Sequence, residues 1–442
     1  MKFNKIIPFI CLLMALGQVQ AQSIKMSSYR FSEGLQFTTQ GGKKIKLSGY
    51  IQPLFEAKHY TDSEDFDTEN RFRLRRARFR IDGGSKDERF NYRVHFDLSG
   101  SSEVDNTSDN ASSNYLLDAY VSYEVVKQLT VLFGQRSTYT DNRELFMASS
   151  SLQLVERSRL TSAFASIREF GLFLQGKFRT GKGSYLKPYL VVTNGDGANV
   201  FNKDHGSIKI GGRIDYLPFG LFTNFGQFRQ ADVMRERTPK LVIGANFSNN
   251  LGMSSRRGRN SGTRIYLDEN GKESLPNYTK IGADFLFKYQ GFSMLGEFVK
   301  SYASVPSDIT QRILDSGSIS TNFEIGKDEN GNSIQDVENY VKGRMMLGEG
   351  YNIQAGYVFK SGISLDGRFT HLEADEYSFL NNETFYSRPN YYTIGLSKYL
   401  GRNYGAKIQT SVTYVDTAIN DTDGNPIDRN ELIGRLMLTF SF

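Results

Sequence analysis

From Lys43 to the last residue, apolar and polar side chains alternate with a period of two in stretch after stretch, and this pattern restricts the fold more than any other feature. Phe90, Tyr92, Val94, Phe96 and Leu98 alternate with Asn91, Arg93, His95, Asp97 and Ser99, while Ile45, Leu47 and Ile51 alternate with Lys46, Ser48 and Gln52. Successive side chains of a strand point to opposite faces, so each stretch predicts a strand with one apolar and one polar face. Similar stretches begin near Phe72, Leu117, Leu129, Phe170, Tyr185, Ile208, Leu241, Ile281, Phe292, Tyr351, Ile363, Tyr392, Ala406 and Leu432. That makes about sixteen strands of about ten residues, a length that crosses a bilayer when tilted. The pattern predicts an all-β fold, a transmembrane antiparallel β-barrel over 43–442.

Composition agrees with this reading. The mean hydropathy of −0.44 and the lack of a long apolar run after the N-terminus exclude a helical membrane protein. They leave a barrel open, because every second, inward-facing residue dilutes the apolar content. Lys2 and Lys5, an apolar core from Ile6 to Gly17 and Val19-Gln20-Ala21 predict a signal peptide over 1–21, followed by a short periplasmic segment over 22–42. The one cysteine, Cys11, falls within that apolar core, so thiol chemistry is not expected of the mature chain.

Connection lengths carry a second signal. The links at 59–70, 100–114, 137–168, 193–206, 249–277, 302–350, 373–389 and 416–430 are long and polar, and those between them are mostly tight. One rim therefore carries turns and the other loops, as in outer-membrane barrels with both termini in the periplasm. The link 217–239 is the exception, being long where a turn is expected. At the C-terminus, Leu432, Leu436, Leu438, Phe440 and Phe442 share one face. A terminal aromatic on such a strand resembles the recognition signal of barrels inserted into bacterial outer membranes, and predicts that location.

Several short motifs stand in order along the chain. They are Arg75-Arg76-Ala77-Arg78-Phe79-Arg80-Ile81, Asp118-Ala119-Tyr120 leading to Phe133-Gly134-Gln135, Leu154-Val155-Glu156-Arg157-Ser158, Arg168-Glu169-Phe170-Gly171 and Asn194-Gly195-Asp196-Gly197. In this order they resemble the phosphate-selective porin O and P family, and the resemblance runs from about Lys43 to Phe442. It implies a 16-stranded barrel, a homotrimer, and a third external loop, here 137–168, folded inward to narrow an anion-conducting pore. Phosphate-selective members cluster lysines near the constriction, whereas this loop holds Arg143, Arg157, Arg159 and Arg168 and no Lys. A general anion pore, or one for larger acidic solutes, fits as well as a phosphate pore.

Parity locates candidate pore residues. Ala77, Phe79 and Ile81 oppose Arg76, Arg78 and Arg80, which are expected to point into the lumen about 7 Å apart. A lipid-facing Arg at the midplane costs about 2–4 kcal/mol, so the inward assignment wins. Phe72 and Leu74 have the opposite parity, so either the strand begins at Arg75 or a bulge resets it. The same rule places Arg93, Arg136 and Arg213 inward, with Lys46, Lys177, Lys187, Lys209, Lys280, Lys288, Arg368, Lys407 and Arg435. Together with Arg143, Arg157 and Arg159 of the third loop, they form the expected anion-binding lining, Arg being suited to an oxyanion by its fixed fork and permanent charge. The alternative is a wetted interior neutralised by Asp97, Asp118, Glu124 or Asp215. Leu145, Phe146, Met147, Leu152, Leu154 and Val155 give the loop apolar anchors against the wall.

No catalytic residues, cofactor or metal are expected. His59, His95, His205 and His371 are scattered without metal spacing, and no Ser–His pair assembles on one face. Asp421, Asp423, Gly424 and Asn425 echo a calcium loop without its twelfth-position Glu, and Asp268-Glu269-Asn270-Gly271 and Asp328-Glu329-Asn330-Gly331 read as hairpin tips. Export removes nucleic acid as a partner for Arg71 to Arg80. The expected function is a passive channel for small anionic solutes embedded in outer-membrane lipid. The alternative is a barrel serving as an assembly or adhesion subunit, which the long loops 249–277 and 302–350 would suit.

Overall fold

The computed structural model describes residues 25–30, 34–39, 41–61, 68–99, 115–199, 205–206, 208–258, 263–381, 388–401, 404–416, 419–420, 426–427 and 430–442. The expected signal peptide and the loop Asp421–Asn425 lie outside these residues. Sixteen antiparallel strands close into a barrel. They are β1 (Lys44–Tyr60), β2 (Thr68–Gly84), β3 (Phe90–Asp97), β4 (Leu116–Val126), β5 (Leu129–Ser137), β6 (Arg168–Gly176, continued by Phe178–Gly181), β7 (Ser184–Thr193) and β8 (Lys209–Leu217). The second half comprises β9 (Lys240–Asn250), β10 (Asn277–Tyr289), β11 (Phe292–Ser304), β12 (Gly348–Val358), β13 (Ile363–Ala374), β14 (Asn390–Tyr399), β15 (Ala406–Asp416) and β16 (Glu431–Ser441).

Closure is made by β16, which pairs with β1 from Glu431↔Tyr60 to Ser441↔Tyr50. The last residue is stitched in by Gly49 N to Phe442 O at 2.9 Å and Phe442 N to Gly49 O at 3.0 Å. Closure pairs the first and last barrel strands with each other, as a bilayer without hydrogen-bonding partners demands. Before β1, Lys25–Arg30 and Gly34–Thr38 form a hairpin that pairs with the start of β1, Leu35 opposite Leu47.

The alternation sorts inside from outside in the reverse of a soluble sandwich. Phe90, Leu98, Phe133, Ile214, Ile243, Leu365, Ile394, Leu436, Leu438 and Phe440 are exposed on the outer face, while Asn246, Asn352, Gln354, Ser364, Thr370, Ser397 and Gln409 are buried inside. An apolar outer band with a polar interior requires lipid as the outer solvent. The parity change on β2 is a bulge: Gln52 faces Arg76 and Pro53 faces Leu74, leaving Arg75 as the extra residue. Pro53 has no N–H to give the ladder, and a bulge is where a strand tolerates that loss.

The third loop carries two short helices, α1 (Arg143–Phe146) and α2 (Arg159–Phe164), the latter capped by the Ser158 side chain accepting from Thr161 N. The long link after β8 folds back over the barrel mouth instead of hanging free. Lys288 Nζ donates to the carbonyls of Gly226 at 3.0 Å and Ala231 at 2.9 Å, and Gly291 N donates to Asp232 Oδ2 at 2.7 Å. A tight turn was expected at this rim; the buried Lys288 on β10 and Tyr404 before β15 instead supply hydrogen-bond partners for an inserted segment. At the opposite rim, segments from 249–277 and 302–350 share a core containing Met253, Tyr266, Leu275, Phe323, Tyr340 and Leu347, with α3 (Val337–Lys342) packed in it. Asp268 and Asp328 each close a turn of the same form, their Oδ1 accepting from Asn270 N and Asn330 N at 2.9 Å.

Candidate pore and its lining

Residues 138–167 touch inward side chains of walls on opposite sides of the barrel. Leu152, Leu154, Val155 and Leu160 are fully buried, which removes about 1.5–3 kcal/mol of apolar exposure each. Space for them is made by inward glycines. A Cβ on Gly395 would lie 2.4 Å from Leu154 Cδ2, and one on Gly356 would lie 2.2 Å from Gln153 Nε2. Polar contacts complete the seat: Gln409 Nε2 donates to Gln153 O at 2.8 Å, Gln153 Nε2 to Asp366 Oδ1 at 2.6 Å, and Gln52 Nε2 to Ser149 O at 3.4 Å. From the other rim, Gln230 reaches the same place, accepting from Gln153 N at 2.7 Å and donating to Glu144 Oε1 at 2.9 Å. The two inserted segments thus meet at one buried glutamine.

Across β8 to β11 the loop is held by ion pairs sealed from water. Arg143 donates to Asp215 and to Asp284 at 2.7 Å each, and Arg213 donates to Asp215 at 2.7 Å and to Asp284 at 2.5 Å. A Cβ on Gly244 would lie 2.1 Å from Arg213 Nη2, so only glycine leaves room for this cluster. Lys280 pairs with Asp141, and Lys209 with Glu169 at 2.7 Å. Burial would raise the Asp141 carboxyl, but Lys280 and Lys209 outweigh it and keep it below the ordinary range. Four cations matched by four carboxylates leave this wall nearly neutral.

The opposite wall is different. A cavity of about 600 Å³ remains between the loop segment 156–162 and strands β1, β2 and β13 to β16. Its lining holds eight basic side chains, Lys58, Arg71, Arg75, Arg157, Arg159, Arg368, Arg388 and Arg435, against four acidic ones, Glu56, Glu69, Glu156 and Glu431. Glu56 is shared by Arg71 at 2.7 Å and Arg435 at 2.6 Å, and Glu431 is paired with Arg388 at 2.5 Å. At the floor, Glu156 of the loop sits between Arg75 at 2.5 Å and Arg76 at 2.9 Å. Burial would raise its carboxyl, but the two guanidinium groups hold it well below the ordinary range.

The candidate residues therefore separate into groups. Arg157 and Arg159 line the cavity. Arg76 and Arg78 point inward yet are buried, Arg78 donating to Asp97 Oδ2 at 2.8 Å and to Tyr50 Oη at 3.1 Å. Asp97, on the polar face of its strand, is sealed by that pair. Arg80 and Arg93 remain about a third exposed and share Asp82, at 2.8 and 2.6 Å. Arg136 lies over the rings of Tyr120 and Tyr139 and donates to Tyr139 Oη at 2.6 Å. Arg143 and Arg213, expected to line the pore, are instead sealed between the loop and the wall, where both face Asp215 and Asp284. Among the residues not selected, Glu56 and Lys58 share the parity of Gln52 and were within reach of the alternation rule. Arg388 precedes β14, where parity does not extend. Among the described residues, no group of three or more His, Cys, Asp or Glu could hold a metal ion.

Several solved structures align with most of the chain. The anion-selective porin from Comamonas acidovorans aligns with a TM-score of 0.50 at 9% identity, covering 90% of this chain and 100% of that one. The outer-membrane channel DcaP of Acinetobacter baumannii aligns with a TM-score of 0.47 at 14% identity, covering 92% and 99%. The trimer form of OmpT, an outer-membrane protein of Vibrio cholerae, gives 0.48 at 8% identity, covering 91% and 100%. No curated protein matches the sequence. Residues 45–317, more than half of the chain, match the phosphate-selective porin O and P family. With its closed barrel, lipid-facing band and basic cavity, this chain belongs to that family and to the bacterial outer membrane.

Proposed function

We propose that the protein is a passive outer-membrane channel that prefers small anions, phosphate and organic acids among them, and works as a homotrimer. The observation that carries this reading is the excess of four positive charges around the cavity of about 600 Å³. Basic side chains in a confined space raise the local anion concentration and the barrier to cations. The phosphate-selective description of the family supports an anionic solute, and the seating of residues 138–167 across the lumen supports their role in setting the aperture. Trimerisation rests on the family resemblance, with cross-linking of native membranes as its check. No chemical step is assigned to any residue.

The test is the reversal potential of purified protein in planar bilayers under a salt gradient. Wild type should show anion preference. Replacing Arg71, Arg388 and Arg435 by Gln together reduces the lining excess from four charges to one and exposes Glu56 and Glu431, so the potential should move toward the cation side. The shift should be largest at low salt, where screening is weak. Unchanged selectivity would place the filter elsewhere. A barrel that conducts nothing would favour an assembly or adhesion role, for which the core shared by described segments of 249–277 and 302–350 offers a surface.

A further inference from the structure

The bulge opposite Pro53 gives β2 two consecutive lumen-facing arginines, where a regular strand would send one of them to lipid. Both converge on one carboxylate. Arg75 Nε donates to Glu156 Oε1 at 2.5 Å, Arg75 Nη2 to Oε2 at 3.3 Å, and Arg76 Nη2 to Oε2 at 2.9 Å. Gln52 Oε1 accepts from Arg76 Nη1 at 3.1 Å and fixes the second guanidinium. Three donors thus grip a planar, two-oxygen acceptor, the arrangement for which the Arg fork is shaped. The donors belong to the rigid wall and the acceptor to a loop. Arg75 and Arg76 are 1% and 0% exposed, whereas Glu156 is 12% exposed and borders the cavity. The carboxylate is therefore the member of the cluster open to exchange.

We infer that the Arg75–Arg76 pair is a carboxylate-binding site filled here by the channel's own Glu156, and that a small organic acid entering from the cavity replaces it. The inference rests on the channel reading and adds the class of solute the site receives. Exchange of one carboxylate for another conserves the charge at the site. The displaced Glu156 stays beside Arg157, Arg159 and Arg368 of the same lining, so its release leaves no uncompensated anion. An internal competitor also serves throughput, because two buried guanidinium groups alone would hold a carboxylate too tightly to release it. Returning Glu156 expels the solute.

The test measures block of the chloride current by succinate in planar bilayers, with inorganic phosphate as the comparison. In Glu156→Gln the competing charge is absent, so half-block by succinate should occur at about tenfold lower concentration, with longer blocked intervals. Phosphate, which is tetrahedral, should gain less. Glu156→Asp, whose carboxylate is one methylene shorter, should fall between and carries the same test if the Gln variant does not assemble. Equal half-block in wild type and variant, with both conducting chloride, overturns the exchange site alone. An equal gain for phosphate overturns the assignment to carboxylates. Absence of current in every protein overturns the channel reading and this inference with it.

Discussion

Removing Asp284 should release the third loop from the wall it is bound to. In the native cluster, two guanidinium groups, Arg143 from the loop and Arg213 from β8, face two carboxylates, Asp215 and Asp284, at 2.5–2.7 Å. All four side chains are at most 3% exposed, so water cannot substitute for a lost partner. Asp284→Ala leaves two buried cations with one anion and removes the bonds from Arg143 Nε and Arg213 Nη2. Stripping one partner from a buried ion pair costs about 3–5 kcal/mol. The chain can avoid that cost by swinging Arg143 out to water, which means lifting the start of the loop off β8 and β10. Single-channel recordings should then show a larger or flickering conductance, and the barrel should lose its compact electrophoretic form at a lower temperature. The double variant Arg143→Met with Asp284→Leu restores balance, since Arg213 keeps Asp215 at 2.7 Å. It should return to a quiet, narrow conductance, because apolar groups replace a buried pair at little cost. If Asp284→Ala conducts like wild type with the same noise and heat stability, the cluster does not hold the loop.

Two further outcomes check the remaining geometry. Cysteine at Leu98 or Ile394, both more than 60% exposed on the outer face, should react with a lipid-soluble maleimide, and cysteine at Arg93 with a water-soluble one; the opposite pattern would invert the register. Gln230→Ala strips partners from Gln153 N and Glu144 where the two inserted segments meet, a loss of about 1–3 kcal/mol, and should raise open-channel noise without changing ion preference. A change in reversal potential there would mean that the junction itself selects.

The barrel was legible in the sequence because lipid and water enforce the same alternation on every strand. Phe90 to Leu98 and Leu432 to Phe442 show which face is which before any contact is known, and tight turns such as Gln290-Gly291 against long loops show the two rims. The arginines of β2 were legible as an inward row for the same reason, and the opposed parity of Phe72 and Leu74 already called for a bulge or a later start. Parity, however, names the face of a wall and not what stands in front of it. Arg143 and Arg213 look identical in sequence to Arg157 and Arg159, yet the first pair meets Asp215 and Asp284 and the second borders the cavity. Their difference is set by contacts between residues as far apart as Arg143 and Asp284, which arise only when the barrel closes and the loop crosses it. The link 217–239 was an anomaly of length, and only its seat against Lys288, Tyr404 and Gln153 shows it to be a second insert. Local periodicity thus determined the architecture, because each strand meets lipid and lumen independently. The pore was decided by tertiary structure, because charge in a lumen counts only after burial has paired most of it.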